Sequence, residues 1–302
     1  MPQSSVCPIF AIRMQNKYPA KILLFGEYSV INGSPALAIP FYKFSGHWST
    51  GQHSDPRLLD YLRWLKENNM HDVLDLDLMS YEFNRGTIFL SDIPNGYGLG
   101  SSGALVAATW DKYSSDSNNI PIEPLRLYLA RMESYFHGQS SGLDPLISLL
   151  QSPVEKLSDG SLLSLDPIQN DTVFENLYLL DALRPRNTSS LVAIYQQKLT
   201  QPEFKNKINT QLTKWVHNAI TALKHQSYES FQSAFTSISR FQFEHFIPMI
   251  PSHILPLWQD GLNSNAFHIK LCGAGGGGFF LIHCRDTDLF PKPFYPYLIS
   301  LR

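Results

Sequence analysis

Between the apolar run Thr87–Leu90 and the helix-like stretch Ala104–Tyr113 the chain carries PNGYGLGSSGA, residues Pro94 to Ala104. So many glycines joining a strand to a helix demand a tight turn whose backbone comes close to whatever binds there. Gly98, Gly100 and Gly103 let N–H groups approach closely, and the following helix aims its positive end at the same place, so a phosphate group fits. Ser101 and Ser102 add hydroxyls, one of which can reach a Mg²⁺ held between phosphate groups. The segment lacks the GK[ST] ending of a Walker loop, and taken alone a serine-capped glycine turn accounts for it as well.

A second glycine segment, KLCGAGGGGF (Lys270–Phe279), also lies between apolar runs, where its backbone could wrap a phosphate or serve as a flexible hairpin turn. Between the two loops stands ESYFHGQSSGLDPL (Glu133–Leu146). Glu133 and His137 are spaced to share one helix face, and Asp144 follows after a glycine-containing loop. Glu133 suits Mg²⁺ as a hard oxygen ligand, and Asp144 suits an acceptor hydroxyl as its proton acceptor. Asp144 before Pro145 also reads as the N-cap of the helix PLISLL, a role compatible with a base because a helix N-terminus keeps the carboxylate ionised. His137 has no second histidine at ligand spacing, so a zinc site is not expected. Lys21 opens the strand KILLF, where its ammonium could steady a developing alkoxide or serve as an ordinary surface lysine.

The chain has 302 residues, 43% of them apolar, enough for two domains with sizeable cores. A formal charge of −2 leaves no basic surplus to track a nucleic-acid backbone or an anionic membrane, so a small-molecule partner is expected. The three cysteines, Cys7, Cys272 and Cys284, are widely spaced and odd in number, which suits reduced thiols. The apolar run Val6–Ile12 is broken by Pro8 and has no basic leader, and no stretch approaches the roughly 18 apolar residues of a membrane helix, so a cytoplasmic location is expected. Lys21–Phe25 and Ala36–Ile39 read as an opening hairpin, and Asp55–Pro56 as the start of a helix with Leu58, Leu59, Leu62 and Leu65 on one face. The pattern restarts with the strand LYLLD at Leu177. Helical stretches follow around 203–225, 228–241 and 253–263, and a strand–loop–strand unit closes the chain. A boundary near residue 173 separates the two parts, 1–173 and 174–302.

Taken together and in this order, PAKILLFGEYSVINGSPALA, PNGYGLGSSGA and KLCGAGGGG resemble the three motifs of the GHMP kinases, and the likeness spans most of the chain. The resemblance implies an α+β, two-domain fold, with an N-terminal ribosomal-protein-like β/α domain and a C-terminal ferredoxin-like α/β sandwich. It implies ATP and Mg²⁺ as cofactors, with ATP contacted by Gly98, Leu99, Gly100, Ser101, Ser102 and Gly103 and by Gly273, Ala274, Gly275 and Gly276. Within the family, ESYFHGQSSGLD is similar to the pattern of the branch that phosphorylates mevalonate, and LLDALRPRNTSSLV is similar to the start of that branch's second domain, placing Asp181, Arg186 and Thr188 on matching positions. Carried over, Ser102 and Glu133 become metal ligands, Asp144 the catalytic base and Lys21 its electrostatic partner, with Glu27, Tyr28, Asp144 and Thr188 toward the acceptor. Three positions depart from the pattern: Tyr28 replaces a usual His, Cys272 a Ser or Thr, and Leu183 a Gly. Tyr28 keeps phosphomevalonate and sugars open as acceptors, and Arg184 and Arg186 are the cations a phosphorylated acceptor would use. Neither nucleic acid nor membrane is an expected partner, and a homodimer is compatible with the sequence.

Overall fold

The opening KYPAKILLF forms strand β1 (Lys17–Phe25), longer than the KILLF run predicts because Tyr18 and Ala20 are buried too. Strand β2 (Ala36–Thr50) lies beside it. The computed structural model describes residues 17–115, 120–169, 171–185 and 188–302; Cys7, Arg186 and the side chain of Thr188 lie outside these residues. By packing, the chain divides into two compact units that are not consecutive in sequence. The first holds residues 42–93 and 100–151 with the described residues up to 20, and the second holds 21–41, 94–99 and 152–302. The expected boundary near residue 173 falls inside the second unit, and β1 and β2 contribute to both.

In the first unit, β3 (Thr87–Ser91) pairs antiparallel with the end of β2, from Gly46 opposite Ser91 to Thr50 opposite Thr87. Helix α1 (Pro56–Glu67) starts as the sequence predicts, with the Asp55 carboxylate accepting from Arg57 N–H at 2.9 Å, a cap worth roughly 1 kcal/mol. Its buried stripe is Leu58, Tyr61, Leu62 and Leu65, so Tyr61 takes the place expected of Leu59. Helix α2 (Leu76–Asn84) is capped the same way by Asp75. Helix α3 (Ser101–Tyr113) is buried on nearly every side through Ala104, Val106, Ala107, Ala108 and Trp110, and it packs on α4 (Ile122–His137) and α5 (Leu143–Leu150).

In the second unit, β4 (Val154–Lys156) pairs antiparallel with the start of β2, and β5 (Leu162–Ser164) adds outside it. A short helix α6 (Asp171–Phe174) precedes β6 (Leu177–Asp181). The stretch read as one helix around 203–225 is α8 (Pro202–Lys207), which follows α7 (Thr188–Leu199), then a π-helical turn at Ile208–Leu212, then α9 (Thr213–Lys224). After α10 (Tyr228–His245) and α11 (Leu255–Ser264) come β7 (Phe267–Leu271), β8 (Phe279–Cys284) and β9 (Leu298–Ser300). These strands form an antiparallel sheet in the order β7-β8-β6-β9. Numbered along the sheet's own strands this order is 2-3-1-4, the ferredoxin-like arrangement, with helices filling the first crossover and only short 3₁₀ turns in the second. Among the described residues no helix is long and apolar enough to cross a membrane.

β7 and β8 are buried along their whole length, which seals His268 and His283 opposite each other in the pairing register. Burial, with Arg240 adding repulsion, holds His268 down to about 4. Burial, then His268 and Arg285, do the same to His283, whose Nε2 also meets the Tyr228 hydroxyl at 3.1 Å. Both folded values lie below the unfolded value near 6.5, so the unfolded chain takes up protons first. The stability gained from keeping these rings neutral is complete above about pH 6.5 and is lost as pH falls toward 4. Thermal melts between pH 7 and 4 are expected to show a loss of roughly 3 kcal/mol per histidine, and His268→Asn to flatten that limb; equal acid limbs would contradict the assignment.

Candidate active site

The glycine-serine segment opens α3 earlier than the sequence predicts, at Ser101 rather than Ala104, because Gly100 takes a left-handed conformation (φ 77) and serves as N-cap. No side chain caps this helix, so the serine-cap alternative does not hold. The first-turn N–H groups of Ser101, Ser102 and Gly103 have no intrahelical acceptor, and the helix dipole adds positive potential at the same end. Ser102 Oγ donates to Glu133 Oε1 at 3.1 Å and lies 2.8 Å from His137 Nε2, while Ser140 Oγ donates to the other carboxylate oxygen of Glu133. Glu133 is buried at 4% exposure on α4. Burial first and then the Glu133 charge push the Tyr61 phenol well up.

Asp144 stands in the first turn of α5 and is not its N-cap as predicted; Gly142 is. The reason is steric. A Cβ at Gly142 would lie 2.3 Å from the Arg126 carbonyl oxygen, so only glycine passes so close to α4, and its left-handed backbone starts the helix early. Asp144 then packs directly on α3, where a Cβ at Gly103 would come within 2.9 Å of Asp144 Cβ. The first turn of α3 thus gathers a hydroxyl, a buried carboxylate and a second, half-buried carboxylate. Two hard oxygen donors, Ser102 and Glu133, fit a magnesium ion that takes its other ligands from water and phosphate. Among the described residues no group of three or more His, Cys, Asp or Glu could cage a metal.

In the second unit Lys21 is a buried residue of β1 at 9% exposure, so it is no ordinary surface lysine, and its N–H donates to the Leu99 carbonyl at 2.9 Å. Glu27 is buried and paired with Lys270 Nζ at 2.5 Å; desolvation pushes its carboxyl up, and Lys270 pulls it back. Tyr28 OH donates to the Ala274 carbonyl at 2.6 Å. In the second glycine loop a Cβ would lie 2.5 Å from Met249 O at Gly275, and 2.6 Å from Tyr97 O at Gly278. Leu183, where a glycine is expected, has φ 57, and its N–H bonds Asp181 Oδ1 at 2.7 Å. Arg184, offered as a cation for a phosphorylated acceptor, donates from Nε to the Gly276 carbonyl at 3.0 Å. Thr188 lies outside the described side chains.

Residues 74–152 match the family model described as the GHMP kinases N terminal domain. A mevalonate kinase of Methanothermobacter thermautotrophicus is 25% identical over 291 residues, covering 88% of each chain. The chain is similar to the GHMP kinases. Its fold is similar to that of L. major mevalonate kinase crystallised with R-mevalonate (TM-score 0.61, 20% identity, 93% of this chain and 90% of that one). It is also similar to that of Streptococcus pneumoniae phosphomevalonate kinase in complex with phosphomevalonate and AMPPNP (TM-score 0.64, 14% identity, 96% and 99%). Together these similarities indicate an ATP-dependent small-molecule kinase.

The sequence reading missed Lys270 and Ser140, which hold Glu27 and Glu133 in place. A lone lysine inside the apolar strand FHIKL was the available signal for the first. Gly103→Ala tests how tightly Asp144 is packed. Helix propensity alone would make the change stabilising by up to about 1 kcal/mol. The contact with Asp144 instead predicts a loss of about 1–3 kcal/mol, read as a lower Tm; a raised Tm contradicts the packing.

Proposed function

We propose that this protein is a GHMP kinase that transfers the γ-phosphoryl group of ATP to the primary hydroxyl of mevalonate. The observation that carries the chemistry is the gathering of Ser102, Glu133 and Asp144 at the first turn of α3. The choice of mevalonate is supported by the pattern ESYFHGQSSGLD and by the relative that matches over 88% of the chain.

In this mechanism the Asp144 carboxylate accepts the hydroxyl proton as the oxygen attacks phosphorus, the γ-phosphorus–oxygen bond to ADP breaks, and Lys21 supplies positive charge to the nascent alkoxide. A magnesium ion, when bound, draws charge from the phosphates; Ser102 and Glu133 would hold it, and His137 and Ser140 orient those two ligands. Tyr28 favours a second reading, since tyrosine after Gly-Glu is also familiar in phosphomevalonate kinases.

A coupled ADP-release assay with mevalonate, phosphomevalonate and galactose as acceptors separates the readings; mevalonate is expected to give the highest kcat/KM, and no ADP with any acceptor overturns both. Asp144→Asn is expected to cut kcat by about 10²–10⁴-fold with the fold intact. Glu133→Gln is expected to raise the Mg²⁺ concentration for half-maximal activity at least about tenfold. Near-normal turnover in the Asp144 variant removes that residue from the base role.

A further inference from the structure

Tyr28 has a backbone conformation that side-chain-bearing residues avoid, φ 61 and ψ −46, yet it is almost fully buried. Such strain persists only where the surroundings over-determine it. Its ring packs on Tyr195 and Phe246, with centroids 4.8 and 5.3 Å away, and its hydroxyl reaches the carbonyl of Ala274 in the second glycine loop. Glu27, the residue before it, accepts from the N–H of Gly273. Two consecutive side chains after β1 therefore hold two peptides of that loop, Cys272–Gly273 and Ala274–Gly275.

The loop's other hydrogen bonds show what this achieves. Gly276 N–H is spent on the Met249 carbonyl at 2.6 Å and Gly278 N–H on the Arg184 carbonyl at 2.7 Å. Among the described residues the N–H groups of Ala274, Gly275 and Gly277 have no partner. Unspent donors in a glycine run with positive φ at Gly275 and Gly276 are suited to an anion. The Ala274 carbonyl and the Gly275 N–H belong to one planar trans peptide and point in opposite directions. While Tyr28 holds the carbonyl, the N–H must face away from Tyr28. Without that bond, a peptide followed by glycine can turn over at little steric cost, which would offer an anion an oxygen in place of a proton.

We propose that Tyr28 is a positioning residue for the nucleotide phosphates, its hydroxyl fixing the Ala274–Gly275 peptide so that the Gly275 N–H is presented to them, and that it is not a contact to the acceptor. This rests on the reading of the chain as an ATP-using kinase.

Tyr28→Phe keeps the ring packing and removes only the hydroxyl. It is expected to raise the Kd for ADP and the KM for ATP about five- to tenfold, leaving the acceptor KM at saturating ATP unchanged. Tyr195→Phe, which removes a buried hydroxyl without a partner on the neighbouring ring, is the control and should leave ADP affinity at the wild-type value. Equal ADP affinity in wild type and Tyr28→Phe overturns the inference alone, as does an effect confined to acceptor KM. Wild-type protein that binds no ADP sinks the kinase reading and the inference with it. An arm that needs no variant is amide exchange in the wild-type protein, where ADP should slow exchange at Gly275; unchanged exchange there overturns the proposal.

Discussion

Inside the second unit two opposite charges meet almost without water: Lys270, fully buried, donates to Glu27 and to the Leu271 carbonyl at 2.6 Å, and its ammonium stands 5.4 Å from the centre of the Phe25 ring. Desolvating two ions costs several kcal/mol each, and their attraction returns that only when the geometry is good and the remaining polar atoms are satisfied. Here it is. Lys270 has a carboxylate, a carbonyl and an aromatic face, and Glu27 has Lys270 and the Gly273 N–H. An apolar pair of the same volume could pack in several registers. The ion pair accepts one, and it fixes the end of β1 against the end of β7, where the second glycine loop begins. Removing either partner would strand a charge, which typically costs about 3–5 kcal/mol.

That register decides what the glycine loop can do. The loop has no side chain to offer beyond the Ala274 methyl, so its chemistry lies in which backbone groups are spent and which are left. Three N–H groups go to Glu27, Met249 and Arg184, and each bond orients its neighbouring peptides. Glycine is required because a Cβ at Gly275, Gly277 or Gly278 would come within 2.6 Å of other backbone, not merely because the loop turns. The first unit uses the same device: Gly103 and Gly142 are the contacts that let α3, α4 and α5 approach until Asp144 lies on the first turn of α3.

The sequence was most legible where chemistry and local structure share a cause. Asp55–Pro56 announces a capped helix, alternating and continuous apolar runs announce β1, β6, β7 and β8, and the three glycine-bearing motifs announce a phosphate-handling fold. It was least legible where the partner is distant in the chain. The starts of α3 and α5 shift because Gly100 and Gly142 enter left-handed conformations set by packing, which composition does not reveal. Lys270 and Glu27 are 243 positions apart, and His268 faces His283 only through the register of β7 on β8. The π-helical turn between α8 and α9 leaves no mark in a pattern that stays apolar at helical spacing.

The three departures from the family pattern fall in the second unit, whereas Ser102, Glu133 and Asp144 fall in the first. Each departure has its own physical accommodation. Leu183 tolerates φ 57 with its side chain 57% exposed and its N–H held by Asp181, so the strain is local and costs about 1–2 kcal/mol. Cys272, buried, points its sulfur at the Leu23 carbonyl from 3.8 Å, a weak contact of a weak donor. Tyr28 spends its strain on a hydrogen bond to the loop. A tyrosine that reaches the Ala274 carbonyl is longer than a histidine at the same site and is committed to the protein's own backbone. The departure that most weakens a prediction of the acceptor from sequence is therefore, by its geometry, evidence about the second glycine loop. The identity of the acceptor then rests on the segment from Glu133 to Asp144.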